Sequence, residues 1–205
     1  MTQRLTLRGL LFAATLALLA TSFQARAQLV IDVTTSAGKQ VPVAILPFAN
    51  EDGAPQNITP VISGNLARTG LFRIVNLGGI TRLPTEPSEI NFDDWTARST
   101  EALVIGGISA LPDGRYEVRF RLFDVAKKVQ LTSGSFTVAA SQLRATAHKI
   151  SDEIYEKLLG ERGIFSTKIA YVLKRGPRFE LQVADADNFN PQAVLSSLEP
   201  IRSPK

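Results

Sequence analysis

The chain has 205 residues, 44% of them hydrophobic and 20% charged, with one histidine, no cysteine and a formal net charge of +4. That balance excludes global disorder and low complexity, and the length suits one or two domains with a sizeable core. Without cysteine there is no disulfide framework, no thiolate nucleophile and no Cys-ligated zinc site.

Residues 1–27 have the form of a cleavable secretory signal. Arg4 and Arg8 precede an apolar run that ends at Ala20, and Ala25 and Ala27 flank Arg26 in an A-x-A exit that places cleavage before Gln28. A transmembrane anchor needs about 20 apolar residues, and neither this run nor any later segment is long enough. Removing residues 1–27 takes away three arginines and no acidic residue, which leaves 20 Lys and Arg against 19 Asp and Glu. A nearly neutral mature chain argues against nucleic acid, whose phosphates call for a concentrated basic surface. An exported, cysteine-free, unanchored chain fits a Gram-negative periplasm.

Residues 29–33 (LVIDV) are β-prone and are separated from the next strand by a polar run, 34–39. Residues 41–48 (VPVAILPF) form a nearly continuous apolar strand that reads as buried on both faces, and 50–57 are a loop. Thr59 is placed to cap a helix with Pro60 at its first position; Ile62, Leu66 and Thr69 share a face, and Gly70 supplies the stop. Residues 72–75 make a second strand. Gly78, Gly79, Pro84 and Pro87 mark a long exposed connection, after which Asp93 or Asp94 caps a short helix carrying Trp95.

A meander follows. Residues 102–109 (ALVIGGIS) are an apolar strand, and Pro112-Asp113-Gly114 is a turn. Residues 115–125 alternate, with Tyr116, Val118, Phe120 and Leu122 on one face and Glu117, Arg119 and Arg121 on the other, the pattern of a strand with one solvated side. The apolar phase of 129–138 shifts around Gly134, where a β-bulge is expected. Ser141 caps a long helix in which Leu143, Ala147, Ile150, Ile154 and Leu158 recur at helical spacing, and Gly160 ends it. The result is an α/β (α+β) fold: a mixed sheet of about five strands packed with two main helices. In the tail, 168–173 and 179–184 form a hairpin about Arg175-Gly176-Pro177, with a turn-rich 185–190 and a further apolar piece at Val194-Leu195. Three short strands lack an independent core, so this segment belongs to something larger.

No catalytic constellation emerges. His148 is the only imidazole, which excludes a two-His metal site, and a Ser151/His148/Asp152 cluster of helical neighbours lacks the fitted geometry of a triad. Asp93 and Asp94 point different ways from a helix and serve capping and solvation. Glu51-Asp52-Gly53 lacks the ligand spacing of a calcium loop. Gly106-Gly107 lies inside a strand without the lysine of a phosphate loop, and fits close packing of a helix on the sheet. No cofactor and no metal are expected. Two function classes remain beside a hydrolase, which would need a reactive Ser151 or acidic pair. The strand at 29–33 frays, docks on its own domain or adds to a partner's sheet by β-augmentation. Alternatively, the chain is a periplasmic small-solute-binding α/β domain with a pocket between the helices and the 77–93 loop.

One stretch is more specific. His148-Lys149-Ile150-Ser151-Asp152-Glu153-Ile154-Tyr155, Leu158, Gly160, Gly163, Phe165, Thr167 and Ile169-Ala170-Tyr171-Val172 resemble the run H-x-x-[SA]-D-x-[IV]-[YF]-x-x-L-T-G-x-x-G-x-F-x-T-x-I-A-Y-V of the Tol-Pal system protein TolB family. That run joins the family's N-terminal domain to its β-propeller. Leu159 stands where the family has Thr. Val43 to Phe48, Leu66 to Phe72 and Asp185 to Gln192 add to the resemblance, which spans the mature chain. It implies a non-catalytic periplasmic scaffold that links inner-membrane TolA to the peptidoglycan-associated lipoprotein Pal and supports outer-membrane integrity and constriction at division. By position, the family's TolA-binding box falls on Gln28, Leu29, Val30, Ile31, Asp32, Val33 and Thr34. The implied domains are a signal at 1–27, a TolB-like α/β domain at 28–166 and a partial β-propeller at 167–205. The family's S-P-x-W-S-P-D-G blade repeat is absent, so a fragment without most of the propeller is expected. Pal contacts in the family lie chiefly on the propeller, and Pal binding carries over to no residue of this chain.

Overall fold

The structure is a computed structural model that describes residues 40–201. Its first sheet holds β1 (Val41–Ile45), β2 (Phe72–Ile74), β3 (Ala102–Ala110), β4 (Tyr116–Asp124) and β5 (Val129–Val138) in the order β2-β1-β3-β4-β5. β1 runs parallel to both β2 and β3, and β3-β4-β5 is the antiparallel meander expected from residues 102–138. Three helices accompany it: α1 (Thr59–Arg68), α2 (Phe92–Ala97) and α3 (Leu143–Leu159). A second, three-stranded antiparallel sheet holds β6 (Lys168–Arg175), β7 (Arg178–Asp185) and β8 (Gln192–Ser197) in chain order.

Alternation along β1 explains its unbroken apolar run. Val43 and Ile45 face α1 and α3, where they meet Val104, Ile108, Val118, Phe120 and Leu122 from the sheet and Ile62, Leu66, Ile150 and Ile154 from the helices. Ala44 and Leu46 face the other way, into a smaller core with Leu103, Ile105, Phe123, Val125 and Trp95. The connection after β2 closes that second core through Leu77, Ile80, Leu83, Ile90 and Phe92. It covers a sheet face that solvent would otherwise wet, and each of these half-buried side chains contributes less than the roughly 1.5–3 kcal/mol of full burial.

Several local expectations are corrected. Thr59 does not cap α1: its hydroxyl accepts the backbone N–H of Phe48 at 3.0 Å. The helix is capped from a distance by Glu51, whose Oε2 accepts the N–H groups of Ile58 and Thr59 at 3.1 and 3.0 Å. Asn91, not Asp93 or Asp94, caps α2 by accepting the N–H of Asp93. Ser141 lies in a 3-10 turn, Ala140–Gln142, and gives α3 no side-chain cap. The bulge opposite β4 falls at Leu131, because Leu122 pairs with Thr132 and Phe123 with Gln130. Gly134 has another purpose: a Cβ there would lie 2.7 Å from the Phe120 ring, which stacks on Phe136 at 6.4 Å between centroids. The close approach at Gly106 comes from the Phe48 ring, not from a helix.

Candidate functional site

The TolA-binding box expected at Gln28–Thr34 and the cleavage positions Ala25, Ala27 and Gln28 lie outside the described residues. Within them, the densest polar constellation sits where α3 meets α1 and the turn between β7 and β8.

α3 turns Leu143, Ala147, Ile150 and Ile154 into the core, and the same periodicity carries Thr146, His148 and Ser151 inside. Asn65 of α1 answers them: its Nδ2 donates to Ser151 Oγ at 2.9 Å and to His148 Nδ1 at 2.9 Å. An amide nitrogen is a donor only, so Nδ1 accepts and the neutral ring carries its proton on Nε2. Ser151 Oγ donates to the Ala147 carbonyl at 2.8 Å. His148 Nε2 faces Asp187 Oδ2 at 3.8 Å, beyond hydrogen-bond reach, and has no partner. Burial pushes the imidazole below its ordinary value; Asp187 opposes this and Arg144 reinforces it.

Arg144, one turn before His148, grips the turn. Its Nη2 donates to Asp187, its Nε lies 3.9 Å from Asp185 Oδ2, and its guanidinium covers the Phe189 ring at 3.8 Å. Lys168 holds the other Asp185 oxygen at 2.7 Å. Further along α3, the Asp152 carboxylate accepts the N–H groups of Phe165 at 2.7 Å and Ser166 at 3.0 Å, fastening the segment that leads to β6. Gly163 is required there, since a Cβ would fall 2.6 Å from the Asp152 Cα.

This geometry is structural. Ser151 bonds to its own helix and to Asn65, and Asp152 is committed to residues 165 and 166, so no base activates the hydroxyl. His148, Asp185 and Asp187 bring ligand atoms within 4.8 Å of one another. Arg144 and Lys168 together already neutralise that carboxylate pair, however, and the Nε2 facing it carries a proton where a metal needs a lone pair. Of the other acidic candidates, Asp93 pairs with Lys128 at 2.8 Å and Glu51 caps α1.

The expected solute pocket is displaced. A cleft of about 500 Å³ lies between the long connection and α2, on the face opposite α1 and α3. Ile80, Pro84 and Trp95 line it, and the Arg82–Glu89 ion pair at 2.8 Å stands on its rim. The buried unpartnered polar atoms among the described residues belong to Thr100, Arg144 and His148, and none lines this cleft.

The model of the TolB amino-terminal domain family matches residues 29–131. The chain belongs to the TolB family. It is 47% identical over 183 residues to the Tol-Pal system protein TolB of Methylobacillus flagellatus, covering 88% of this chain and 42% of the relative. With the protein of the same name from Nitrosospira multiformis it shares 51% identity over 181 residues, 88% of this chain and 41% of the relative. The crystal structure of TolB from Acinetobacter baumannii superposes with a TM-score of 0.71 at 35% identity, covering 81% of this chain and 41% of that one. The chain thus spans about two-fifths of the length of the curated TolB relatives it matches. The α/β fold inferred from the sequence is the fold shared with this family.

The sequence excludes His148 from a triad or a two-His metal site, but it does not single out Asn65, Arg144 and Asp187 as the neighbours of this ring. Arg144 was the detectable one: at i−4 from His148 it shares a helix face with a buried residue. Asn65 is 83 positions away, and no local pattern announces it.

Proposed function

We propose that the chain is the amino-terminal part of a non-catalytic Tol-Pal scaffold, exported to the periplasm, whose strand at 28–34 binds TolA. The observation that carries this reading is the family match from residue 29, which takes in Leu29, Val30, Ile31, Asp32, Val33 and Thr34. The composition supports it: Leu29 and Ile31 alternate with Val30 and Asp32, the arrangement by which an added strand gains affinity from its backbone and specificity from alternate side chains. Export fits the signal-like residues 1–27, and among the described residues no helix is long and apolar enough to cross a membrane. The work of the assembly in envelope integrity and constriction follows from that placement. Pal is the partner of the longer relatives' propeller in this reading, and no residue of this chain is assigned to it.

Calorimetry against the periplasmic C-terminal domain of TolA tests the proposal, comparing chains that begin at Gln28 and at Thr35. Binding by the first and none by the second is the expected result. Equal affinity of the two, or no binding by either folded chain, overturns the assignment of the strand.

A further inference from the structure

We propose that His148 is a proton-sensitive pin between α3 and the turn at 185–190, so that acidification loosens the seating of that turn on the helix. The inference concerns the fold's own response to protons and does not depend on which partner the chain binds.

The pin stands at the meeting of three elements. From α1, Asn65 donates to the Nδ1 lone pair at 2.9 Å; Arg68 of α1 borders the same cleft as Arg144 and Asp187. From α3 itself come Arg144 and Asp152, and from the turn Asp185 and Asp187, with Lys168 of β6 paired to Asp185. The ring is 3% exposed. Its Nδ1 is committed as an acceptor, and its Nε2–H is sealed from solvent without an acceptor in reach.

A second proton must enter at Nδ1, where it meets the N–H of Asn65. The amide can present Oδ1 only by turning its nitrogen away from Ser151, whose own hydrogen goes to the Ala147 carbonyl. The charged ring is therefore poorly served in place, although Asp187 attracts it, and a state that admits water to the ring binds the proton more readily. Two openings would do this. Parting α1 from α3 exposes Ile62, Leu66, Ile150 and Ile154, all fully buried. Lifting the turn exposes mainly Phe189, already 49% exposed, and releases contacts that are largely polar. The turn is the cheaper opening, and it is the one the proton selects.

Because His148 is the only histidine, its ring signals stand alone in a heteronuclear magnetic-resonance spectrum of the full chain. The ring and the backbone amides would be followed together from about pH 8 to about pH 4.5, a span that brackets the ordinary imidazole value. The ring midpoint is expected below that ordinary value, with the amides of Asp187, Asn188 and Phe189 shifting at the same midpoint and exchanging faster on the acid side. In His148→Gln the amide response disappears. Asn65→Asp offers an acceptor to a protonated Nδ1, so the ring midpoint rises while the acid loosening of the turn weakens, because the charged ring is then served in place. This second variant keeps the test alive if His148→Gln fails to fold. A ring midpoint at or above the ordinary value overturns the proposal. So do turn amides that ignore the ring's titration in the parent, that still respond in His148→Gln, or that loosen in acid as much in Asn65→Asp as in the parent.

Discussion

Glu51 caps a helix that begins eight residues later, its Oε2 accepting the N–H of Thr59 at 3.0 Å and sharing itself with Ile58. The carboxylate is buried, and it stands in for the missing side-chain cap at the start of α1. Glu51→Ala leaves two N–H groups without a partner and is expected to cost about 1–3 kcal/mol, the range for lost caps and unsatisfied buried donors. Glu51→Gln keeps an acceptor oxygen and loses less. Urea unfolding followed by Trp95 fluorescence measures both, and an unchanged midpoint in Glu51→Ala would show that the cap is dispensable.

Two glycines separate close approach from simple helix geometry. A Cβ at Gly106 would run into the Phe48 ring and come within 2.6 Å of the Arg119 carbonyl oxygen. At Gly64, inside α1, the nearest atom is the tip of Arg68 at 3.9 Å. Gly106→Ala should destabilise by about 1–3 kcal/mol through overpacking, whereas Gly64→Ala should stabilise by about 0.5–1 kcal/mol through helix propensity. Thermal unfolding of the two variants would move in opposite directions, and a shared direction would contradict this account.

The features legible in the sequence are those written in a local period. The alternation at Val118, Phe120 and Leu122, the helical spacing of Leu143, Ala147, Ile150 and Ile154, and the left-handed stops at Gly70 and Gly160 all correspond to observed elements. A cap escapes local pattern where its partner comes from elsewhere in the fold. Thr59 has the composition of an N-cap, but its hydroxyl is drawn to Phe48, and the cap comes from Glu51. Gly134 reads as a bulge because glycine is frequent at bulges, while its actual cause is a ring from the neighbouring strand. The His148 junction joins residues from Asn65 to Asp187, a distance along the chain that no window of local pattern spans.

The connection after β2 hinges on Glu89. Its carboxyl is held down from 4.5 to about 2, first by the backbone N–H of Thr85, then by that of Glu86, the Thr85 hydroxyl and Arg82. A carboxyl whose folded value is depressed contributes in full above its unfolded value near 4.5, and the contribution is lost as pH falls toward about 2. The amides of Thr85 and Glu86 should therefore stay protected from exchange at neutral and mildly acidic pH and lose protection only in strong acid. Glu89→Ala should abolish that protection at pH 7 while the amides of β3 are unaffected. Equal exchange in variant and parent would assign the order of the loop to another cause.

Arg144 holds the turn between β7 and β8 in a manner that charge alone does not reproduce. Its flat guanidinium covers Phe189 at 3.8 Å while one edge donates to Asp187 and another faces Asp185. Lysine carries the same charge as a point on a flexible stem and cannot stack and fork at once. Arg144→Lys is thus expected to leave α3 folded, since the residue lies outside the apolar stripe of Leu143, Ala147, Ile150 and Ile154. The turn, however, should be cut several-fold faster by a broad-specificity protease, with the new ends near residues 186–190, because local opening governs cleavage of an exposed turn. Arg144→Ala should show the same site with a larger increase. Cleavage at the parent's rate in both variants would mean that Phe189 and the β7–β8 pairing seat the turn without the arginine.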